Sequence, residues 1–456
     1  MPYSAWRGPR ARPQTWRNSD TAGSPTRRRA QTWRSLFIAP CASLFFASRT
    51  SLRAAVLSER ITMASDSLRL ALREHLAWWG LRHFSSDRDY FAWQRQRLPS
   101  EDLKRLTFHA EQKRHGDRCD EIMFYDVAAH PTIYPVLYSQ RYEYYEAIGV
   151  RTTAHFGQAE DVLDFGCGIG VLTIFYACLF PEKNFMGVDR SSASIVVARE
   201  RADKLGLRNL RFECVDTEVE PLSGSYDLVV ATHALVQAEQ DRGLPSRNWR
   251  TFERAHNPSQ QLTFERRIGL AIRLDRLCRV LNSSGRMIVS EKTRQLARRV
   301  PFQRALANRG LRLVERPAPI RYRTVEEVVD DGPLYVLDRG GEATLDWDEE
   351  PEQDQGQHFD PHTVSMSAGA VNAPLYENHW PSAQAIWEQL KDREVIRETT
   401  RQARDGRQVH VERGRSRGQH YLYCANTFDQ RQLVIEEEVR AAVLDGYYQE
   451  IIRGLP

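Results

Sequence analysis

Val162-Leu163-Asp164-Phe165-Gly166-Cys167-Gly168-Ile169-Gly170 decides the reading of this chain: an apolar run, an acid, then three glycines at alternate positions. Residues 161–164 are short and apolar enough for a strand buried in a parallel sheet. A chain leaving such a strand must turn sharply. Gly166, Gly168 and Gly170 permit that turn and let a ligand lie against the main chain with no Cβ in the way. Residues 171–180 then read as a helix whose first amides point back at the crevice where open α/β sheets bind ligands. Glycine turns also hold pyrophosphate in dinucleotide folds, so the loop alone does not choose the ligand.

The flanking segments fall where a doubly wound sheet needs them. Residues 185–189 read as a second strand ending in Asp189, suited to accept hydrogen bonds from ribose hydroxyls, a feature that dinucleotide enzymes share. Residues 210–216 read as a third strand ending in Asp216, and 226–231 as a fourth. Residues 281–291 give a helix end, a turn and a fifth strand. A helix over 300–308, a strand from Leu311 and another at 334–337 complete the set.

Over roughly residues 149–341 the chain resembles the class I S-adenosylmethionine (SAM)-dependent methyltransferases. The likeness rests on Asp164 to Gly170, on Asp189, on Asp216 and on the turn from Val280 to Arg286 before Met287-Ile288-Val289. Gly-x-Gly-x-Gly, rather than Gly-x-Gly-x-x-Gly, favours SAM over NAD. The resemblance implies an α/β fold: a doubly wound seven-stranded sheet with its last strand antiparallel and helices on both faces. It also implies a cofactor, SAM, with Asp164, Gly166, Gly168 and Gly170 at its methionine portion, Asp189 at the ribose and Asp216 with Thr217 at the adenine, and Arg190 is a further cofactor-binding candidate.

The domains expected are a disordered or targeting extension over 1–62, a helical cap over 63–148, the methyltransferase domain over 149–341, an acidic linker over 342–375 and a small α+β module over 376–456. The net charge of +4 conceals an asymmetry: residues 1–62 carry eleven arginines, no lysine and two acids, which leaves −5 for 63–456. That balance gives no electrostatic case for nucleic acid, a partner that stays possible but not favoured. The Arg- and Ser-rich, acid-poor start with a 14-residue apolar patch over 35–48 resembles an organelle transit peptide, and translation from Met63 is the alternative reading. The patch is too short to span a bilayer, so no membrane association is expected. Seven scattered cysteines without paired spacing fit reduced thiols in a cytoplasmic compartment and no metal site.

In the cap, Leu68, Leu72, Leu76 and Trp79 share one helical face. A dense aromatic cluster follows at Tyr125, His130, Tyr134, Tyr138, Tyr142, Tyr144 and Tyr145, of which Tyr142 and Tyr145 are the candidates for holding a substrate ring or facing the sulfonium. Methyl transfer is an in-line displacement that needs alignment and exclusion of water, and a base only for a protonated nucleophile. Candidate bases belong at the carboxyl ends of strands four and five: His233, then Glu291. Both also fit structural capping roles. The Asp/Asn-Pro-Pro-aromatic signature of amino-directed nucleic-acid methyltransferases is absent after strand four. The polar stretch 236–261, with Trp249, suits an acceptor pocket. Eight acids in 342–360 read as linker. A helix at 382–390, strands near 394–400, 408–412 and 420–425, a turn at Asp405-Gly406 and a closing helix complete the chain. The nine basic side chains of 391–418 suit either a solvated strand face or an RNA or acidic partner. The function expected is methylation of a small molecule, with macromolecular methylation or a SAM-binding scaffold as alternatives.

Overall fold

The computed structural model describes residues 66–115, 117–236, 241–325, 328–340, 345–351, 374–403 and 407–455. The extension over 1–62, the Asp405-Gly406 turn and the acidic stretch apart from 345–351 and 374–375 lie outside these residues.

Among the described residues six helices precede the first strand: α1 (66–78), α2 (Asp87–Arg97), α3 (Ser100–His115), α4 (Arg118–Ala128), α5 (Tyr134–Ser139) and α6 (Tyr142–Thr153). Helix α4 begins with a capping box in which Asp117 and Asp120 each satisfy the other's backbone amide. The apolar face of α1 buries Leu72, Leu76 and Trp79 against α6 and α7 residues in one core.

The first sheet follows as β1 (Asp161–Phe165), α7 (Val171–Leu179), β2 (Asn184–Asp189), α8 (Ser192–Leu205), β3 (Leu210–Cys214), β4 (Tyr226–Thr232), α9 (Pro258–Arg267), α10 (Leu270–Val280), β5 (Leu281–Ser290), α11 (Leu296–Ala307), β6 (Leu311–Leu313), β7 (Ala318–Arg323) and β8 (Val328–Arg339). Its order is β3-β2-β1-β4-β5-β8-β6, with β7 also paired to β8. Strands β1 to β5 pair in parallel, and β8 runs antiparallel to β5. The sheet therefore has eight strands, one beyond the seven expected. The extra one, β7, has a short apolar-polar alternation (Ile320 and Tyr322 buried, Arg321 exposed) too brief to stand out in the sequence. Chain reversal between β1 and β4 opens the crevice at their carboxyl ends, the place where such sheets bind ligands.

A second, antiparallel sheet contains β9 (Tyr376–Asn378), β10 (Glu394–Gln402), β11 (Gln408–Ser416), β12 (Gln419–Asn426) and β13 (Arg431–Glu437) in the order β10-β11-β12-β13-β9. Helix α12 (Ser382–Gln389) shares one core with Tyr421, Tyr423, Leu433 and Ile435; α13 (Ala441–Gly454) covers Val411, Leu422 and Val434 on the other face. The alternation of these side chains along β12 and β13 follows from the two-residue period of a strand.

The stretch after β4 corrects the expectation for Trp249. Between 241 and 257 the chain runs as a strap onto the second sheet. The Trp249 indole stacks on His410 with ring centroids 3.6 Å apart and planes 1° from parallel, and its backbone amide donates to Gln408 Oε1 at 3.2 Å. Ser246 N–H donates to the Thr427 carbonyl at 2.8 Å, and the buried Arg254 guanidinium pairs with Asp429, whose other oxygen accepts the Ala297 amide at 2.8 Å. Polar residues that seemed free to read an acceptor are thus spent on joining the two sheets. Trp249→Ala is expected to remove about 3–5 kcal/mol, the range for deleting a buried indole. Hydrogen exchange should show protection lost first in β11 and β12; unchanged protection there would contradict the strap.

Candidate active site

The site is assembled at the carboxyl ends of β1, β2, β4 and β5. Gly166, Gly168 and Gly170 all have positive φ (75°, 55° and 81°), but for different reasons. A Cβ on Gly166 would lie 2.4 Å from Ala234 Cβ, and one on Gly170 2.8 Å from Phe212 Cζ, so those two glycines permit close packing. A Cβ on Gly168 meets only the Tyr138 hydroxyl, at 4.0 Å. Gly168 is therefore the glycine that faces open space, where a ligand can rest against the backbone.

Asp189 holds this loop. One carboxylate oxygen accepts the Gly168 amide at 2.9 Å and the other the Ser191 amide at 2.8 Å. Burial raises its pKa, while the two amides work in the opposite direction. Asp164, buried at the end of β1, accepts from the Thr173 hydroxyl at 2.5 Å and is pushed up to about 6 by burial.

The predicted adenine and ribose groups are tied to the cap. Asp216 accepts from Arg118 of α4 at 2.7 Å and from the Glu218 amide at 3.0 Å; Thr217 is buried beside it. Arg190 does not point a free guanidinium at the ribose position, because Glu121 of α4 and Glu218 hold it in ion pairs. Its side chain joins α4 to the loop after β3. Asp126 of α4 further accepts from the Ser191 hydroxyl at 2.7 Å and the Ala193 amide at 3.2 Å.

At the β4 end, His233 takes φ of 54°, a left-handed conformation that costs a non-glycine residue about 1–3 kcal/mol. Its amide donates to the Ser290 carbonyl at 2.9 Å, and its ring stacks on Tyr144 at 4.6 Å and 14°. Glu291 is corrected as a candidate base. Its carboxylate is fully buried and accepts the amides of Ala234, Leu235 and Val236 at 2.8, 2.7 and 3.4 Å, fixing the turn that displays His233. Burial raises it to about 7.

The two tyrosine candidates separate by helical geometry. Residues at i, i+3 and i+4 share a face, so Arg141, just before α6, aligns with Tyr144 and Tyr145, whereas Tyr142 projects elsewhere. Tyr142 is buried with its ring edge against His83 at 5.4 Å, which corrects its assignment to the acceptor side. Tyr145 lies 6.3 Å from Tyr138 and 5.7 Å from Tyr144, which in turn lies 5.2 Å from Tyr322 of β7. Arg141 and Tyr322 were not singled out by sequence reasoning, and Tyr144 only as a member of the aromatic cluster. The spacing of Arg141 and Tyr144 was available as a signal, but Tyr322 reaches the site only through β7.

In the second sheet, Glu398, His410 and Glu412 bring ligand-type atoms within 4.8 Å of one another. Trp387 of α12 and Tyr421 donate to Glu412, and Thr400 engages His410 Nδ1. Among the described residues no helix is long and apolar enough to cross a membrane.

Comparison with known proteins fits this crevice: residues 157–314 match the family described as "Methyltransferase domain". The matched segment runs from just before β1 through β6 and so contains the glycine loop and the strand-end acids of the crevice. The trans-aconitate 2-methyltransferase of Deinococcus radiodurans is 38% identical over 88 residues, 19% of this chain and 32% of that protein. A tRNA (guanine-N(7)-)-methyltransferase of Thermosynechococcus vestitus is 42% identical over 50 residues, 11% of this chain and 24% of that protein. Among solved structures, the magnesium protoporphyrin IX methyltransferase of Synechocystis PCC 6803 is 16% identical, covering 54% of this chain and 95% of that chain at a TM-score of 0.31. The match thus spans less than a third of the two curated relatives, and their acceptors differ in kind.

Asp164 supplies a test of the methyltransferase domain's electrostatics. Because its folded pKa is raised, the folded chain binds this proton more tightly than the unfolded chain. Between about pH 4 and pH 6, stability therefore falls as pH rises. Asp164→Asn, which keeps an acceptor for Thr173, should remove about 2–3 kcal/mol of that fall. Urea midpoints of the two proteins across this range check it; parallel curves would contradict the raised pKa.

Proposed function

We propose that this chain transfers a methyl group from SAM to a small-molecule acceptor received beneath the helices that precede β1. The observation that carries this reading is the enclosed aromatic wall on the acceptor side. Tyr144 of α6 (4% exposed) stacks on His233, and Tyr322 of β7 (5% exposed) packs on Tyr144. Such a wall suits a small group and leaves little room for a polymer. The division into helical cap, methyltransferase domain and accessory α+β module belongs to the same reading.

The residues present fit SAM. The open face of Gly168 and the amide-oriented Asp189 carboxylate form a cradle with acceptors at its rim. When bound, SAM supplies an electrophilic methyl on its sulfonium. Asp189 would accept hydrogen bonds from ribose hydroxyls, and the backbone at 166–168 would hold the amino-acid portion. The tyrosine rings exclude water and offer π faces to positive charge. His233, held by Ser290 and stacked on Tyr144, takes a proton from acceptors whose nucleophile carries one.

Nucleic acid is not favoured as a partner. In the basic stretch of the second sheet, Arg413 pairs with Asp445, Arg415 with Glu394 and Arg417 with Asp392, so a third of its nine basic side chains are balanced by acids within the protein. The six described cysteines are free, which supports a reducing, cytoplasmic compartment.

Calorimetry on the full chain is expected to show SAM and S-adenosylhomocysteine (SAH) binding. In Asp189→Ala that binding should weaken about 10- to 100-fold, the loss of charge-assisted hydrogen bonds. Radiolabelled methyl from SAM should appear in the small-molecule fraction of a cell extract. Label found on RNA or protein would overturn the acceptor class, and absence of SAM binding would overturn the activity.

A further inference from the structure

Among the described residues, several arginines around the crevice are matched by acids. Arg118 pairs with Asp216, Arg190 with Glu121 and Glu218, and Arg273 with Glu218. Arg141 has no hydrogen bond or ion pair from its guanidinium among the described residues. It sits partly buried at the N-terminus of α6, where the groups around it are the phenols of Tyr125, Tyr144, Tyr145 and Tyr322. An unpaired guanidinium removed from water is costly unless an anion completes it.

A second group converges on the same place. The Tyr144 hydroxyl is buried, with the Thr232 hydroxyl at the end of β4 as a polar side-chain neighbour. Burial holds Tyr144 well above the ordinary phenol range and raises Tyr145 to about 12. Both are therefore neutral O–H donors at physiological pH, suited to an anionic oxygen. The cluster adjoins the cofactor cradle on one side, through Tyr138 and Gly168, and the His233 ring on the other.

We propose that Arg141, together with the hydroxyls of Tyr144 and Tyr145, forms a carboxylate-binding site that selects acidic small molecules as acceptors. A planar guanidinium fits the two oxygens of a carboxylate, and the flanking rings fit the acceptor's apolar body. This inference rests on the acceptor reading above. The other source of the same chemistry, the amino-acid carboxylate of SAM, is separated from it by the test.

The test titrates benzoate, succinate and the uncharged benzamide into the full chain saturated with SAH. The wild type is expected to bind at least one of the two carboxylates and to bind benzamide about tenfold or more weakly. Arg141→Gln should weaken that carboxylate about tenfold or more and leave SAH affinity within about twofold; Arg141→Lys should retain part of the binding, and Tyr144→Phe should lose part. Circular dichroism and SAH binding report that each variant folds. Equal carboxylate binding by wild type and Arg141→Gln overturns the proposal, as does failure of the wild type to bind either carboxylate. Tenfold loss of SAH affinity in Arg141→Gln, with 5′-methylthioadenosine binding retained, also overturns it by giving the guanidinium to the cofactor. Absence of SAH binding by the wild type is a separate result, which fails the methyltransferase reading itself.

Discussion

A carboxylate half-buried at the end of a strand must find donors, and in this protein it finds them in the backbone of the neighbouring loop. Asp189, ending β2, takes the amides of Gly168 and Ser191, so the loop after β1 and the helix start after β2 are fixed to one group. Just past the end of β5, Glu291 takes three successive amides after β4. Removing either acid would leave buried N–H groups unsatisfied, at about 1–3 kcal/mol each. The floor and the acceptor wall of the crevice depend on these two anchors, because both the cradle at Gly168 and the left-handed turn at His233 are conformations the chain does not hold unaided.

The same economy governs the cap. Helix α4 reaches the cofactor side through Arg118, Glu121 and Asp126, each paired with a group at the ends of β2 or β3. Such pairs in a partly buried setting specify position more than they add stability. They make α4 the roof of the cofactor half, while α5 and α6 supply the tyrosines of the acceptor half. The second sheet acts at a distance: the strap from 241 to 257 and the Arg254–Asp429–Ala297 bridge hold it against the start of α11.

Much of this architecture is legible in the order of the residues. The alternation of apolar strands with helices, the glycine loop and the strand-end acids form a pattern in which each local preference agrees with the global fold. The missed strands are informative: β7, β9 and β13 lack a turn signal or a clear alternation, and they exist because β8, β13 and β12 respectively offer an edge to pair with. Glu291 and Trp249 were read from residue type and position in the chain. Their roles changed because burial and partners, which type does not reveal, decide whether a carboxylate or an indole is free to meet a substrate.

The class of fold, the position of the cofactor loop and the acids that line it are written in the chain, because they follow from local periodicity and from the conformations only glycine adopts readily. Which polar groups remain available was settled only when the fold assembled. Pairing consumed Arg190, Asp216 and Glu291, packing consumed Tyr142 and Trp249, and long-range contacts through β7 and α6 left Arg141 among tyrosines without an acid. Availability is a property of neighbours brought together across the chain, and no spacing along it records them.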